Sequence, residues 1–199
     1  GIEPDWRNTQ WPGQLPGLDS GALDIAWGQA SVTEEREREQ YDMIPFYMAP
    51  LAVLVSEGNP HKITSFESMC GVTVGGSTGS VFEFYVGQAN EKFCTPNGKP
   101  EITFKSFNGT EEVALSSGTI DAVIDAWPVL STEAKGMKGV EAVKLSDADQ
   151  FDSGLVGITF SKDEPKLSSA FSAALQQLWD DGVYQEILKK NKVPDATLV

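Results

Sequence analysis

Residues 28–50 read GQASVTEEREREQYDMIPFYMAP, and this stretch decides between two interpretations of the chain. Seven of the eight residues from Glu34 to Tyr41 are charged or carry an amide, which is typical of a solvent-exposed helix face. The run follows Thr33, a residue type that caps helices, and leads into an apolar strand that contains Pro45. Arg36 is therefore either a surface cation among glutamates, or a residue that turns inward and binds an anion.

Composition narrows the class of protein. The chain has 199 residues, of which 40% are hydrophobic, so it can build a core of one domain or two small lobes. Its formal charge of −14 disfavours nucleic acid and anionic lipid as partners, because both would repel it. No apolar run reaches the roughly 18–20 residues of a membrane span, and no signal peptide is recognisable, so we expect a mature or trimmed chain.

Short strand-like runs alternate with helix-like runs, which predicts an α/β protein. The predicted strands cover residues 23–28, 49–58, 71–76, 101–107, 120–125, 140–145 and 155–160. Thr110 is expected to cap a short helix that Gly118 ends. An apolar stripe between residues 167 and 179 predicts a helix packed in the core, ended by Gly182 and followed by a last helix over 183–191.

The two cysteines, Cys70 and Cys94, have two readings. No histidine or further cysteine lies near either one, so a zinc site is not expected. They either form a disulfide with each other or remain two free thiols. The disulfide is favoured because the two cysteines can pair with each other and leave none over. A disulfide would place the chain in an oxidising, exported location.

The segment VGGSTGSVFE, residues 74–83, is a glycine-rich turn from a strand into a helix. Free N–H groups at such a helix start can bind an anion or a carbonyl oxygen, although a glycine run alone is more often a plain turn. It lacks the Gly-Lys-Ser/Thr ending of a phosphate-binding loop, which disfavours nucleotides.

The single histidine, His61, lies in a polar turn, so we predict no catalytic residue, no metal site and no cofactor.

Four blocks in order along the chain resemble the extracellular solute-binding proteins, family 3, of polar amino acid ABC transporters. The first block contains GALDI (21–25), TEER (33–36) and PFY (45–47), and the others contain the turn described above, SGTIDAV (117–123) and DGVY (181–184). Together the four blocks, residues 15–47, 65–86, 114–130 and 157–191, extend over most of the chain.

This resemblance implies a two-lobed α/β fold of the type II periplasmic binding protein class. Residues 1–48 and 156–199 would form lobe 1, and residues 49–155 would form lobe 2. Lobe 1 is expected to be incomplete, because relatives carry a further N-terminal segment; a partner chain or a partial lobe would then compensate for open strand edges.

The implied function is an exported receptor, not an enzyme. It would close on a small polar ligand, an amino acid or related carboxylate, and present it to the membrane permease of an ABC importer. The implied location is extracellular or periplasmic, compatible with a lipid anchor before trimming.

The resemblance also implies which residues hold a carboxylate. Arg36 matches the position that clamps the α-carboxylate, for which a planar guanidinium is well suited. Ser31 would join it from the preceding strand. From the glycine-rich turn, Gly79 and Ser80, with Thr78 beside them, would contact the same group.

The resemblance also implies which residues contact the side chain and the amino group of the ligand. Trp11 is either a wall against the ligand's side chain or a core residue at a helix start. Gln29 matches a position that binds the amino group. Relatives place an aspartate at the position of Ala126, whereas here the carboxylate is Asp125, which would face away from the cleft unless a bulge restores it. We retain Asp125 as a candidate for binding the ammonium.

Two other functions remain open. Enzymes resembling cyclohexadienyl dehydratase share this fold, and Asp125 or Glu83 could serve as their acid, although no paired acid–base signature is present. A ligand-sensing ectodomain of a receptor kinase is the other alternative.

Overall fold

The protein has a two-lobed α/β fold, as predicted. A computed structural model describes residues 3–39, 41–151 and 154–191. The helices are α1 (Trp11–Asp19), α2 (Glu34–Glu39), α3 (Phe82–Ala89), α4 (Glu111–Ser116), α5 (Trp127–Gly136), α6 (Pro165–Asp180) and α7 (Val183–Lys190). The strands are β1 (Ala26–Ser31), β2 (Tyr41–Met48), β3 (Leu51–Ser56), β4 (Thr73–Ser77), β5 (Thr103–Phe107), β6 (Ala122–Ala126), β7 (Val140–Lys144) and β8 (Leu155–Ser161).

The larger sheet contains five strands in the order β5-β4-β6-β3-β7. β4 runs parallel to β5 and β6, while β3 pairs antiparallel with β6 and β7. The strand β3 reads LAVLVS, and its first five residues are buried because both faces of the sheet are covered. Leu51, Val53 and Val55 pack in the core on one face, and Ala52 and Leu54 pack on the other.

The smaller sheet has the order β1-β8-β2, with β8 antiparallel to both neighbours. Helix α1 covers one face, where Leu18 packs with Ala26 and Ala30 of β1. Helix α6 covers the other face, where the rings of Phe171 and Trp27 meet edge to face at 6.1 Å.

The apolar stripe of α6 is less buried than we expected. Leu167, Phe171, Leu175 and Trp179 are half-buried, and Leu178 is 40% exposed. The prediction of a core-packed helix is wrong in this respect: among the described residues, α6 packs mainly against the small sheet and α7, which leaves much of its surface exposed.

The chain crosses between the two sheets twice, and the crossings contact each other. The first crossing, at Ala49 and Pro50, joins β2 to β3, and the second joins β7 to β8. The Ala49 N–H donates a hydrogen bond to the carbonyl of Gly154 on the second crossing. Tyr47, Ala126 and further apolar residues pack around this point, so it is the natural pivot for relative motion of the sheets.

Among the predictions of local features, the disulfide is confirmed, whereas the helix cap and the start of the first strand differ from expectation. The cysteine prediction is confirmed: Cys70 and Cys94 form a disulfide with a Cα–Cα distance of 5.5 Å. Thr110 occupies the N-cap position of α4, but its side chain makes no capping hydrogen bond. The first strand begins at Ala26 rather than at residue 23. Within the described residues, no helix combines the length and apolarity needed to cross a membrane.

Candidate ligand-binding site

A cavity of about 300 Å³ lies between the two sheets, and both contribute to its walls. On the side of the small sheet, it is lined by Trp11 and Gln14 of α1, Gly28 and Ser31 of β1, and Arg36 of α2. On the side of the large sheet, it is lined by Ser77, Ser80, Val81, Phe82, Asp125 and Val129. Its volume is at the low end of the range for small-molecule sites.

Arg36 turns inward, away from the glutamates beside it. One guanidinium nitrogen donates to the carbonyl oxygen of Ser31 at 2.8 Å, and the guanidinium carbon lies 5.1 Å from the centre of the Trp11 ring. Thr33 caps α2 as predicted, since its hydroxyl accepts from the Arg36 backbone N–H at 3.3 Å. None of the ion pairs found among the described residues includes Arg36.

The neighbouring Arg38 makes the surface contact that Arg36 does not. It forms an ion pair with Glu34, and both side chains are largely exposed. Burial instead lowers the pKa of Arg36 from its ordinary value, although the guanidinium remains charged at any physiological pH. A half-buried cation with no carboxylate partner among the described residues favours binding of an anion.

Ser80 carries a hydroxyl group without a partner among the described residues. Its buried hydroxyl oxygen makes no hydrogen bond within the described residues, and the residue lines the cavity. The helix start next to it is also uncapped, because Val81 holds the N-cap position of α3 without a side-chain cap. Free N–H groups at this start favour a negatively charged or carbonyl oxygen.

The other predicted residues of the turn do not line the cavity. Both the backbone N–H and the hydroxyl of Thr78 bond to the carbonyl of Phe107, which holds this residue against β5. Gly79 has a φ of +73°, which the turn requires and which glycine adopts without strain. The turn therefore presents Ser77 and Ser80 to the cavity, not Thr78 and Gly79.

Asp125 lines the cavity, which corrects the expectation that a shifted carboxylate would face away. The register between β3 and β6 is unbroken, with Asp125 opposite Ala52, so no bulge is involved. Strand alternation explains the result, because Val123 packs on the face covered by α4 and α5, and Asp125 lies on the same face two residues later. Ile124, between them, packs in the core on the opposite face. Ala126, the position at which relatives carry the aspartate, packs instead at the crossing between the sheets.

The environment of Asp125 raises its pKa to about 7. Burial is the largest cause, and repulsion from Glu133, Glu111 and Glu112 adds to it. A hydrogen bond from the Ala126 N–H, at 2.6 Å, acts in the opposite direction. A bound ammonium group would therefore stabilise the ionised form of this carboxylate.

Two residues predicted from the sequence remain to be placed, Gln29 and Glu83. Gln29 lies in β1, but its side chain is outside what the structure describes. Glu83, the other acid considered for catalysis, is exposed on α3 and does not line the cavity. Sequence reasoning missed Gln14, Gly28, Ser77, Val81, Phe82 and Val129. Of these, only Ser77 carried a usable signal, because it is the last residue of a strand that enters the glycine-rich turn.

The cleft between two α/β lobes, with a half-buried guanidinium on one side and a helix start on the other, is typical of a solute-binding protein. The model of the bacterial extracellular solute-binding proteins, family 3, matches residues 1–192, and the chain belongs to this family.

Relatives and solved structures agree with this membership. The chain is 30% identical over 187 residues to an arginine-binding protein of Corynebacterium glutamicum, covering 92% of this chain and 59% of that protein. It is 24% identical over 198 residues to the L-cystine-binding protein of Escherichia coli, covering 99% of this chain and 70% of that protein.

Among solved structures, an ancestral arginine-binding protein bound to glutamine matches with a TM-score of 0.77 and 27% identity, covering 95% of this chain and 80% of that one. An ancestral amino acid-binding protein described as a precursor of cyclohexadienyl dehydratase matches with a TM-score of 0.72 and 26% identity, covering 96% and 76%.

Proposed function

We propose that this protein binds an amino acid in the cavity between its sheets and delivers it to the permease of an ABC importer. Residues 1–48 and 156–199 act as one lobe, and residues 49–155 act as the other. The observation that carries the proposal is the cavity itself, which is lined by Arg36 of α2 from one side and by Asp125 of β6 from the other. The relatives are named for arginine or cystine, so they support an amino acid without deciding its side chain.

Each charged end of the ligand has a matching group. Arg36, joined by Ser31 and the hydroxyl of Ser80, binds the α-carboxylate. Asp125 binds the α-ammonium from the large sheet. Trp11 forms a flat apolar wall beside Arg36. Because Arg36 contacts the ligand from one lobe and Ser80 and Asp125 contact it from the other, the ligand binds the closed form more tightly and shifts the protein towards it.

The disulfide supports a location outside the cytoplasm, where such bonds persist. The membership in a family of extracellular proteins supports the same location.

The test is isothermal titration calorimetry with the twenty standard L-amino acids, on the wild type and on the variants Arg36→Lys and Arg38→Lys. Lysine keeps the charge but loses the planar fork, so we expect Arg36→Lys to weaken binding by roughly 10–100-fold. Arg38→Lys is the matched control, because it makes the same change two residues away on the exposed face. Absence of binding to every amino acid, or equal affinities of the wild type and Arg36→Lys, would contradict the proposal.

Catalysis is a second candidate, which one observation favours: a carboxyl group with a pKa of about 7, such as Asp125, can donate a proton at neutral pH. NMR of a bound amino acid or cyclohexadienyl carboxylate distinguishes the two functions. Recovery of the unchanged compound supports binding, and accumulation of a product supports catalysis.

A further inference from the structure

A second cavity, of about 160 Å³, adjoins the ligand cavity, and we call it the acidic chamber. Four carboxylates line it: Glu111, Glu112, Asp125 and Glu133. Asp125 and Ser77 line both cavities, so the two spaces share a wall.

Residues from both sides of the cleft border the acidic chamber. Gln10, which precedes α1, and Gly109, in the turn before α4, both line it. They lie so close that a Cβ atom on Gly109 would be 3.0 Å from the side-chain oxygen of Gln10. Both sides of the cleft therefore contribute to the wall of the chamber, which stays partly open to solvent.

Glu111 is the most deeply placed of the four, with an exposure of 5%. One carboxylate oxygen accepts a hydrogen bond from the Ser77 hydroxyl at 3.0 Å. No ion pair in the described part of the chain includes Glu111, Glu112, Asp125 or Glu133. A buried carboxylate with no cation is costly, so this arrangement favours a ligand that supplies one.

Mutual repulsion links the carboxylates of the chamber. Burial raises the pKa of Glu133, and repulsion from Glu112 and Glu111 raises it further. The same two glutamates contribute to the raised pKa of Asp125. A single α-ammonium on Asp125 would leave the other three without a counter-charge.

We propose that the ligand is an amino acid with a positively charged side chain, and that this charge is held in the acidic chamber by Glu111, Glu112 and Glu133. The proposal rests on the proposed function and adds the class of side chain. The carboxylate end stays with Arg36, and the side chain passes Ser77 and Asp125, which border both spaces.

The experiment compares L-arginine with L-citrulline, which has nearly the same shape but an uncharged urea group. Titration calorimetry of the wild type should give at least about tenfold tighter binding of L-arginine, the scale of one charge-assisted contact. Glu133→Gln should lower the ratio of L-arginine to L-citrulline affinity about tenfold, because only L-arginine carries the charge that Glu133 would pair with. Glu57→Gln, at an exposed turn outside the chamber, is the matched control and should change neither.

Glu112→Gln is the second variant, because Glu112 is also half-buried and lines the chamber. Thermal unfolding of both variants establishes that they are folded. Equal affinity of the wild type for L-arginine and L-citrulline, or tighter binding of L-glutamate than of either, would overturn the charge inference while amino acid binding stands. Absence of binding to any amino acid would overturn the proposed function, and this inference with it.

Discussion

The replacement Asp125→Asn tests how the protein tolerates a carboxylate buried among other acids. The pKa of Asp125 rises from an ordinary value of 3.8 to about 7, first through burial and then through repulsion from Glu133, Glu111 and Glu112. Because the pKa is raised on folding, the native state holds its proton more tightly than the unfolded state. The stabilisation is fully present below about pH 4 and is lost as the pH rises through about 7.

The size of the effect follows from the pKa difference of about three, which corresponds to about 4 kcal/mol at most. We expect roughly 2–4 kcal/mol, because Asp125 keeps part of its surface open to the cavity. Asparagine keeps an oxygen that can accept the Ala126 N–H but cannot ionise. The pKa of Tyr47, which faces Asp125, is itself raised, so Tyr47 stays neutral over this range.

The assay is urea unfolding of the ligand-free wild type and Asp125→Asn at pH 4, 5, 6, 7 and 8. The free energy of unfolding of Asp125→Asn, relative to that of the wild type, should rise by roughly 2–4 kcal/mol between pH 4 and pH 8. This difference corresponds to roughly 4–16 °C in melting temperature. Glu57→Gln, which removes an exposed carboxylate, should show no such trend. A stability difference between Asp125→Asn and wild type that stays constant from pH 4 to pH 8 would refute the reasoning.

Two further predictions concern the scaffold and the cavity wall. Reduction of Cys70–Cys94, which closes a loop with a sequence separation of 24, should destabilise the protein by about 3 kcal/mol and add about 2 Da, measured by thermal unfolding and mass spectrometry. An unchanged mass would show that no disulfide was present. A Cβ atom in Gly28→Ala would lie 2.1 Å from the Gln14 side-chain oxygen, so Gln14 must move and amino acid affinity in calorimetry should fall. Gly87→Ala, which meets no atom within 4 Å, is its control and should leave affinity unchanged.

Much of the fold could be predicted because strands and turns leave local signals. The continuous apolar run of β3 marks a strand buried on both faces, and the glycine-rich turn marks the start of α3. Strand ends were less predictable: β1 begins at Ala26, three residues later than expected. Helix α5 was missed because its sequence, beginning Trp127–Pro128, follows β6 without a separating turn.

The site was only partly predictable, since lining a cavity depends on packing that no local pattern contains. Arg36 and Ser80 were predicted through the resemblance of their segments to the family's motifs, and both line the cavity. Thr78 and Gly79 belong to the same turn but face elsewhere, because Thr78 bonds to β5. The acidic chamber was not predicted, since Glu111 reads as an ordinary first-turn residue of α4 and only the fold brings it to Asp125.

The proposed roles of Arg36 and Asp125 would couple ligand binding to the closure of the two lobes. Burial lowers the pKa of one and raises that of the other, so each charged form is less stable here than in water. Arg36 lies on α2, beside the small sheet, and Asp125 lies on β6 of the large sheet, so a separation of the sheets would expose both to solvent. If the ligand is a zwitterion, as proposed, it would replace the lost hydration at both groups only when the sheets are close together. Ligand binding and closure would then be coupled through these two charges.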